Sequence, residues 1–126
     1  MPSRSLDDAD PLLVAKFDLL NEDFVREHPG QTLTVTCTYR SPAEQLEAYN
    51  TGHSQLKFGN HNVTDATGKP AARAIDVVVL VNGHTTWDSV YYYPLIELAE
   101  RHGLVSGGSW PHFKDWPHIE LPKDAA

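Results

Sequence analysis

At 126 residues, 40% apolar and 21% charged, the chain can build one hydrophobic core and lacks the polarity of a disordered segment. A net charge of −7 argues against a nucleic-acid binder and does nothing to draw the protein onto an anionic surface. The one cysteine, Cys37, excludes an intramolecular disulfide and a cysteine-built zinc site, whereas seven histidines with no His tract invite a search for metal ligands.

The first residues, Met1-Pro2-Ser3-Arg4-Ser5, run into acidic positions rather than an apolar stretch, and no apolar run approaches the ~20 residues of a membrane span. The expectation is cytoplasmic synthesis without a signal peptide. Residues 10–28 then read as a helix, with Asp10 as cap and Pro11 at the first position. Leu13, Phe17, Leu20 and Phe24 fall on one face of it, and Lys16, Asp18, Glu22 and Arg26 on the solvated one. Residues 31–39 alternate Leu33, Val35, Cys37 and Tyr39 with four threonines, which is a strand. Cys37 falls on its apolar side and reads as a small buried hydrophobe rather than a nucleophile.

Arg40 ends that strand. Ser41, Pro42 and Glu44 form a capping box that opens a second helix, with Ala43, Leu46 and Tyr49 as its apolar stripe. A salt bridge to Glu44 or Glu47 would account for Arg40. Residues 51–73 read as a long polar loop holding His53 and His61. Residues 74–81 are a strand closed by the turn pair Asn82-Gly83. Asp76 stands out in it: a carboxylate among apolar strand residues must be paired or bound to a metal, and Arg73 is the structural candidate. Asp88-Ser89 starts a third helix with Tyr91, Leu95, Leu98 and His102 on one side and Gly103 as stop. His102 is expected to meet the last carbonyls of that helix. Residues 104–105 read as a brief strand and residues 106–109 as a turn. A short final strand puts Ile119 and Leu121 on one face, His118 and Glu120 on the other.

Helices around a few strands with one hairpin signal give an α+β fold with a mainly antiparallel sheet, one domain over residues 1–126. The chemistry gathers at strand ends. His61, Asp76 and His118 would leave a fourth position to water, the ligand set of a catalytic zinc. Asp115, three residues before His118, is placed to act as general base, and Arg40 to hold a substrate carboxylate or offset an oxyanion.

The chain also resembles the M15 family of zinc peptidases, the group of D-Ala-D-Ala carboxypeptidases and L-alanyl-D-glutamate peptidases that includes phage endolysins. The matching segments run in order through the chain. They are Ser3-Arg-Ser-Leu-Asp-Asp, Thr36-Cys-Thr-Tyr-Arg-Ser-Pro-Ala-Glu-Gln45, Gly59-Asn-His-Asn62, Gly68-Lys-Pro-Ala-Ala-Arg-Ala-Ile-Asp76, Trp87-Asp88, and Gly103-Leu104 through Trp110 to Asp115-Trp-Pro-His-Ile-Glu120. The resemblance implies a hedgehog/D-Ala-D-Ala peptidase-like fold and zinc held by His61, Asp76 and His118. It also implies Asp115 as catalytic acid/base and Arg40 in substrate binding or transition-state stabilisation. Gln45, Trp110, Trp116 and Glu120 are expected to line the cleft or support the ligands. Gly59 stands where the family commonly has serine, and the spacing from His61 to Asp76 is longer than usual, with residues 63–70 read as an insertion. His53 is the rival to His61 as first ligand. The implied activity is hydrolysis of a peptide bond in the peptidoglycan stem. An endolysin-type L-alanyl-D-glutamate endopeptidase, acting on the cell wall after release in phage or prophage lysis, leads the alternatives. A D-Ala-D-Ala carboxypeptidase and a non-catalytic zinc-stabilised domain are the others. A monomer with no nucleic-acid or membrane partner and no separate wall-binding module is expected.

Overall fold

The computed structural model describes residues 2–52, 59–112 and 114–124. Five strands form one antiparallel sheet: β1 (Gln31–Cys37), β2 (Ala74–Val81), β3 (His84–Thr86), β4 (Val105–Ser106) and β5 (His118–Glu120). The order is β1-β2-β5-β4, and β3 folds back on β2. Three helices accompany it: α1 (Pro11–Glu27), α2 (Pro42–Asn50) and α3 (Tyr93–Arg101). This is the α+β antiparallel arrangement expected. The hairpin is made by Asn82 and Gly83, both with positive φ (49° and 83°), as a turn matched to strand twist requires.

Alternation along β2 decides what each face of the sheet does. Ile75, Val77 and Val79 point into the core with Ile119 of β5, meeting Leu13, Phe17, Leu20 and Phe24 of α1 and Leu95, Leu98 and Ala99 of α3. Each buried Val, Leu, Ile or Phe among them contributes about 1.5–3 kcal/mol. Tyr92 anchors the hairpin from the same side: its hydroxyl donates to the Thr86 carbonyl (2.8 Å) and accepts from the Val79 amide (3.1 Å). Tyr92, rather than Tyr91, is therefore the tyrosine of the buried stripe, because a 3₁₀ turn at Ser89–Tyr92 precedes α3 and shifts the helical phase.

The opposite face carries Ala74, Asp76 and Val78. The register puts three residues side by side across neighbouring strands, Cys37 on β1, Asp76 on β2 and His118 on β5. Cys37 reaches this face through a bulge. Val35 pairs with Val77, but Cys37 pairs with Asp76, so Thr36 and Cys37 together oppose one residue. Simple alternation would keep Cys37 with the core; the bulge turns it to the other side. The regular strand also ends there, and Thr38 and Tyr39 bond the backbone of Ser3 instead.

The capping box of α2 is formed in both directions, Glu44 N–H to Ser41 Oγ (3.2 Å) and Ser41 N–H to Glu44 Oε1 (2.8 Å). Its apolar stripe is not buried, however: Leu46 is 45% and Tyr49 39% exposed, and the buried residue is Gln45. The helix leans on polar neighbours, because the strand end below it is occupied by Arg40. Among the described residues no helix is long and apolar enough to cross a membrane.

Candidate metal centre

Three nitrogen and oxygen atoms converge on the face that carries Asp76. Asp76 Oδ1 lies 3.3 Å from His61 Nε2 and 3.3 Å from His118 Nδ1. A tetrahedral zinc with ligand bonds near 2.0–2.1 Å separates its ligand atoms by about 3.3–3.4 Å, so the spacing suits such an ion. It is too loose for a good hydrogen bond, and His61 Nε2 and Asp76 Oδ1 are buried atoms with no hydrogen-bond partner among the described residues.

Both imidazoles are oriented by their other nitrogen. His61 Nδ1 lies 2.7 Å from the Thr38 carbonyl and must carry the proton there, so the Nε2 lone pair faces Asp76. His118 Nε2 lies 2.6 Å from Glu120 Oε1, which leaves Nδ1 facing inward. A second partner that fixes the tautomer is the usual support of a metal-ligating histidine. The His61 turn (Asn60–Asn62) is itself pinned by backbone bonds. Arg40 N–H donates to the His61 carbonyl (2.9 Å) and Arg73 N–H to that of Asn60 (2.8 Å), while Asn62 Nδ2 donates to the Arg40 carbonyl (2.9 Å). His53 lies outside the described residues.

These groups perturb one another strongly. Burial disfavours charge on both rings, yet the nearby Asp76 and, for His61, Cys37 outweigh it, pushing His61 up to about 10 and His118 up to about 9. Burial would raise Asp76 in turn, but the two imidazoles hold its carboxyl well below the ordinary carboxylate range. With no ion present Asp76 favours a second proton on each flanking ring, at the nitrogen that faces it, and a divalent cation can take the place of those protons. The geometry, tautomers and orphaned atoms fit a divalent ion.

Asp115 borders this cluster, with Oδ2 3.8 Å from His118 Nδ1 and a side chain 35% exposed. Burial, and then the charge of Asp76, raises its pKa above the usual value for aspartate. Its position depends on two glycines. A Cβ on Gly107 would stand 2.3 Å from the Asp115 carbonyl oxygen, and one on Gly108 2.7 Å from the Trp116 ring. The Gly107 carbonyl accepts from the Asp115 amide (3.1 Å), so the segment is laid directly against bare backbone.

The remaining expected residues divide. Glu120 serves His118; burial raises its carboxyl, but the hydrogen bond to that ring, aided by Asn60, outweighs this and lowers it. Arg40 is not paired with Glu44 or Glu47 in any described contact. It reaches Asp76 Oδ2 (3.5 Å) and Gln45 Oε1 (3.3 Å), because the strand end aims it over the site face. Arg73 is not the partner of Asp76. One strand step apart in phase, it points to the other face and meets Asp10 (3.8 Å) and the Pro122 carbonyl (2.9 Å). Trp110 packs on His118, ring centroids 5.0 Å apart, whereas Trp116 packs against Tyr93 (5.2 Å) at the edge of the core. His102 bonds Asp23 of α1 (2.7 Å) rather than helix carbonyls.

Sequence reasoning missed Cys37. Its Sγ lies 3.7 Å from His61 Nδ1, and Cys37, His61 and Asp76 form a second possible donor group beside Asp76, Asp115 and His118. Only the bulge, invisible in the alternating pattern, brings the thiol here.

No protein-family model matches the chain. It is 33% identical over 106 residues to the peptidoglycan L-alanyl-D-glutamate endopeptidase CwlK of Bacillus subtilis, an alignment covering 73% of this chain and 62% of that protein. The chain thus spans less than two thirds of that curated relative. Among solved structures it is similar to the Serratia marcescens L-Ala D-Glu endopeptidase ChiX, with TM-score 0.70, 27% identity, and coverage of 97% of this chain and 89% of the other. The LdcB LD-carboxypeptidase shares the fold, with TM-score 0.50, 13% identity, and coverage of 96% and 68%. By sequence the chain is similar to CwlK and by fold to ChiX, both of them L-Ala-D-Glu endopeptidases.

Proposed function

We propose that the protein is a zinc-dependent endopeptidase of the peptidoglycan stem, cutting between L-Ala and D-Glu. The observation that carries this reading is the convergence of His61 Nε2, Asp76 Oδ1 and His118 Nδ1 at 3.3 Å spacings beside a half-exposed Asp115. His61, Asp76 and His118 would hold the ion. When bound, zinc supplies Lewis acidity and lowers the pKa of water to near neutrality.

Asp115 takes the proton from the attacking water at its carboxylate and passes it to the leaving amine. Arg40 is a permanent cation at the rim, only 16% exposed, where it offsets negative charge developing on the scissile carbonyl or grips the α-carboxylate of D-Glu. Gln45, buried and bonded to Arg40, keeps the guanidinium extended over the site. Glu120 and the Thr38 carbonyl fix the two imidazoles. Trp110 shields one side of His118 from solvent. The place of action is the cell wall, reached in lysis.

The test is digestion of purified peptidoglycan with and without a chelator, followed by mass spectrometry of the new ends. A chelator-sensitive free amine on D-Glu supports the endopeptidase. Released D-Ala would transfer the same site to a carboxypeptidase, and no product at all would leave a zinc-stabilised binding domain.

A further inference from the structure

Building on the peptidase reading, we propose that an aromatic ridge leading away from His118 is a saccharide subsite, on which the glycan strand attached to the stem peptide stacks. The ridge is continuous with the candidate metal centre. Trp110 lies against His118, ring centroids 5.0 Å apart. Lys114 joins it to the next ring: its Nζ donates to the carbonyls of Trp110 (3.2 Å) and Gly108 (3.0 Å) and sits 5.5 Å from the centre of the Trp116 ring. Trp116 in turn rests in the space left by Gly108 and against Tyr93 at 5.2 Å. Tyr93 ends the row, 52% exposed at the start of α3.

The chemistry favours a sugar over the other parts of the substrate. A stem peptide of alanine, glutamate and a diamino acid offers no broad apolar surface to stack on an exposed aromatic ring. A pyranose does, since its axial C–H groups form a flat apolar face rimmed by hydroxyls, the shape an aromatic face accommodates. The connectivity agrees. In peptidoglycan the L-Ala residue is attached through a lactyl group to N-acetylmuramic acid, so cleavage after L-Ala brings that sugar within a few bonds of the metal centre. Charge agrees as well. The chain carries −7, and stacking on a largely uncharged glycan does not depend on ion pairing. Trp87, though 63% exposed, is stacked on Tyr92 outside this chain of contacts.

The subsite is tested on the whole chain with a peptide-free probe, the β-1,4-linked tetramer of N-acetylglucosamine. Titrated into a Trp87→Phe background, it should perturb the fluorescence of the two remaining tryptophans, both on the ridge, in a saturable way. Tyr93→Ala should weaken that response about threefold to tenfold, the scale of one lost ring contact, and Tyr93→Phe should restore it. With zinc-loaded protein, the ratio of kcat/KM for a stem peptide carrying muramic acid to that for the free peptide should fall in Tyr93→Ala. A flat titration of the parent protein, or a Tyr93→Ala variant that keeps both the response and the ratio, overturns the subsite. If neither substrate is cut, the peptidase reading fails on its own, and the sugar titration still decides the ridge.

Discussion

Two histidine–carboxylate groupings in this protein look alike in sequence and differ in how the proton is turned. Between α1 and α3, His102 Nε2 lies 2.7 Å from Asp23, whose carboxylate also takes Arg26 and Arg101 while Glu27 and Glu97 complete the network. Every group there has a partner and the cluster is closed. At the candidate metal centre the histidine protons are directed away, to the Thr38 carbonyl and to Glu120, and the lone pairs meet a carboxylate at 3.3 Å. A histidine is thus ready for a cation when one ring nitrogen has its N–H occupied and the other faces a further acceptor across a gap too wide for a good hydrogen bond, as His61 and His118 both face Asp76.

Several changes would break or sharpen that contrast. The largest effect belongs to Asp115→Asn, expected to lower peptidoglycan turnover by about 10²–10⁴-fold while zinc content by elemental analysis stays near one per chain; loss of the metal along with activity would make Asp115 a ligand instead. His61→Ala should abolish stoichiometric zinc, whereas His102→Ala should keep it. If His53→Ala and not His61→Ala released the ion, the first ligand is misassigned. Glu120→Gln, which frees the outer nitrogen of His118 from its carboxylate, should weaken zinc binding about 10–100-fold in a chelator competition. Gly107→Ala must displace the Asp115 backbone and should cost about 1–3 kcal/mol in denaturant unfolding. The smallest effect lies in the closed cluster. The hydrogen bond from His102, then that from Arg26, lowers Asp23 to about 2 in the folded protein. A depressed carboxylate stabilises the fold above its unfolded value near 4 and loses that contribution as pH falls toward about 2. The Tm gap between the parent and Asp23→Asn should therefore be widest at neutral pH and close between pH 4 and 2, with zinc binding at neutral pH unaffected.

Local chemistry carried much of this into the sequence. The capping box at Ser41, the prolines at helix starts, the Asn82-Gly83 hairpin and the anomalous carboxylate of Asp76 each depend on neighbours within a few positions. What could not be read is long range. The bulge that moves Cys37 depends on how β1 meets β2, and the burial of Gln45 on what Arg40 requires. The proximity of His102 to Asp23 depends on how α1 and α3 pack. Gly107 and Gly108 read as a turn because glycine suggests conformational freedom, yet neither has positive φ; their value is the absence of a side chain where another segment passes.

The strand order has a consequence for how the protein comes to be active. β5, last in the chain, inserts between β2 and β4 instead of adding to an edge. The donor set therefore stays incomplete until residues separated by much of the sequence have paired, and contacts of that kind form late because the intervening chain must first be closed. His61 and His118 are 57 positions apart (118 minus 61). An ion shared by them would act as a removable cross-link across that span, worth roughly 4 kcal/mol of denatured-chain entropy on the loop-closure scale used for disulfides. The centre proposed to do the chemistry would then also latch the last strand in place, and withdrawing the metal would loosen the middle of the sheet as well as stop the reaction.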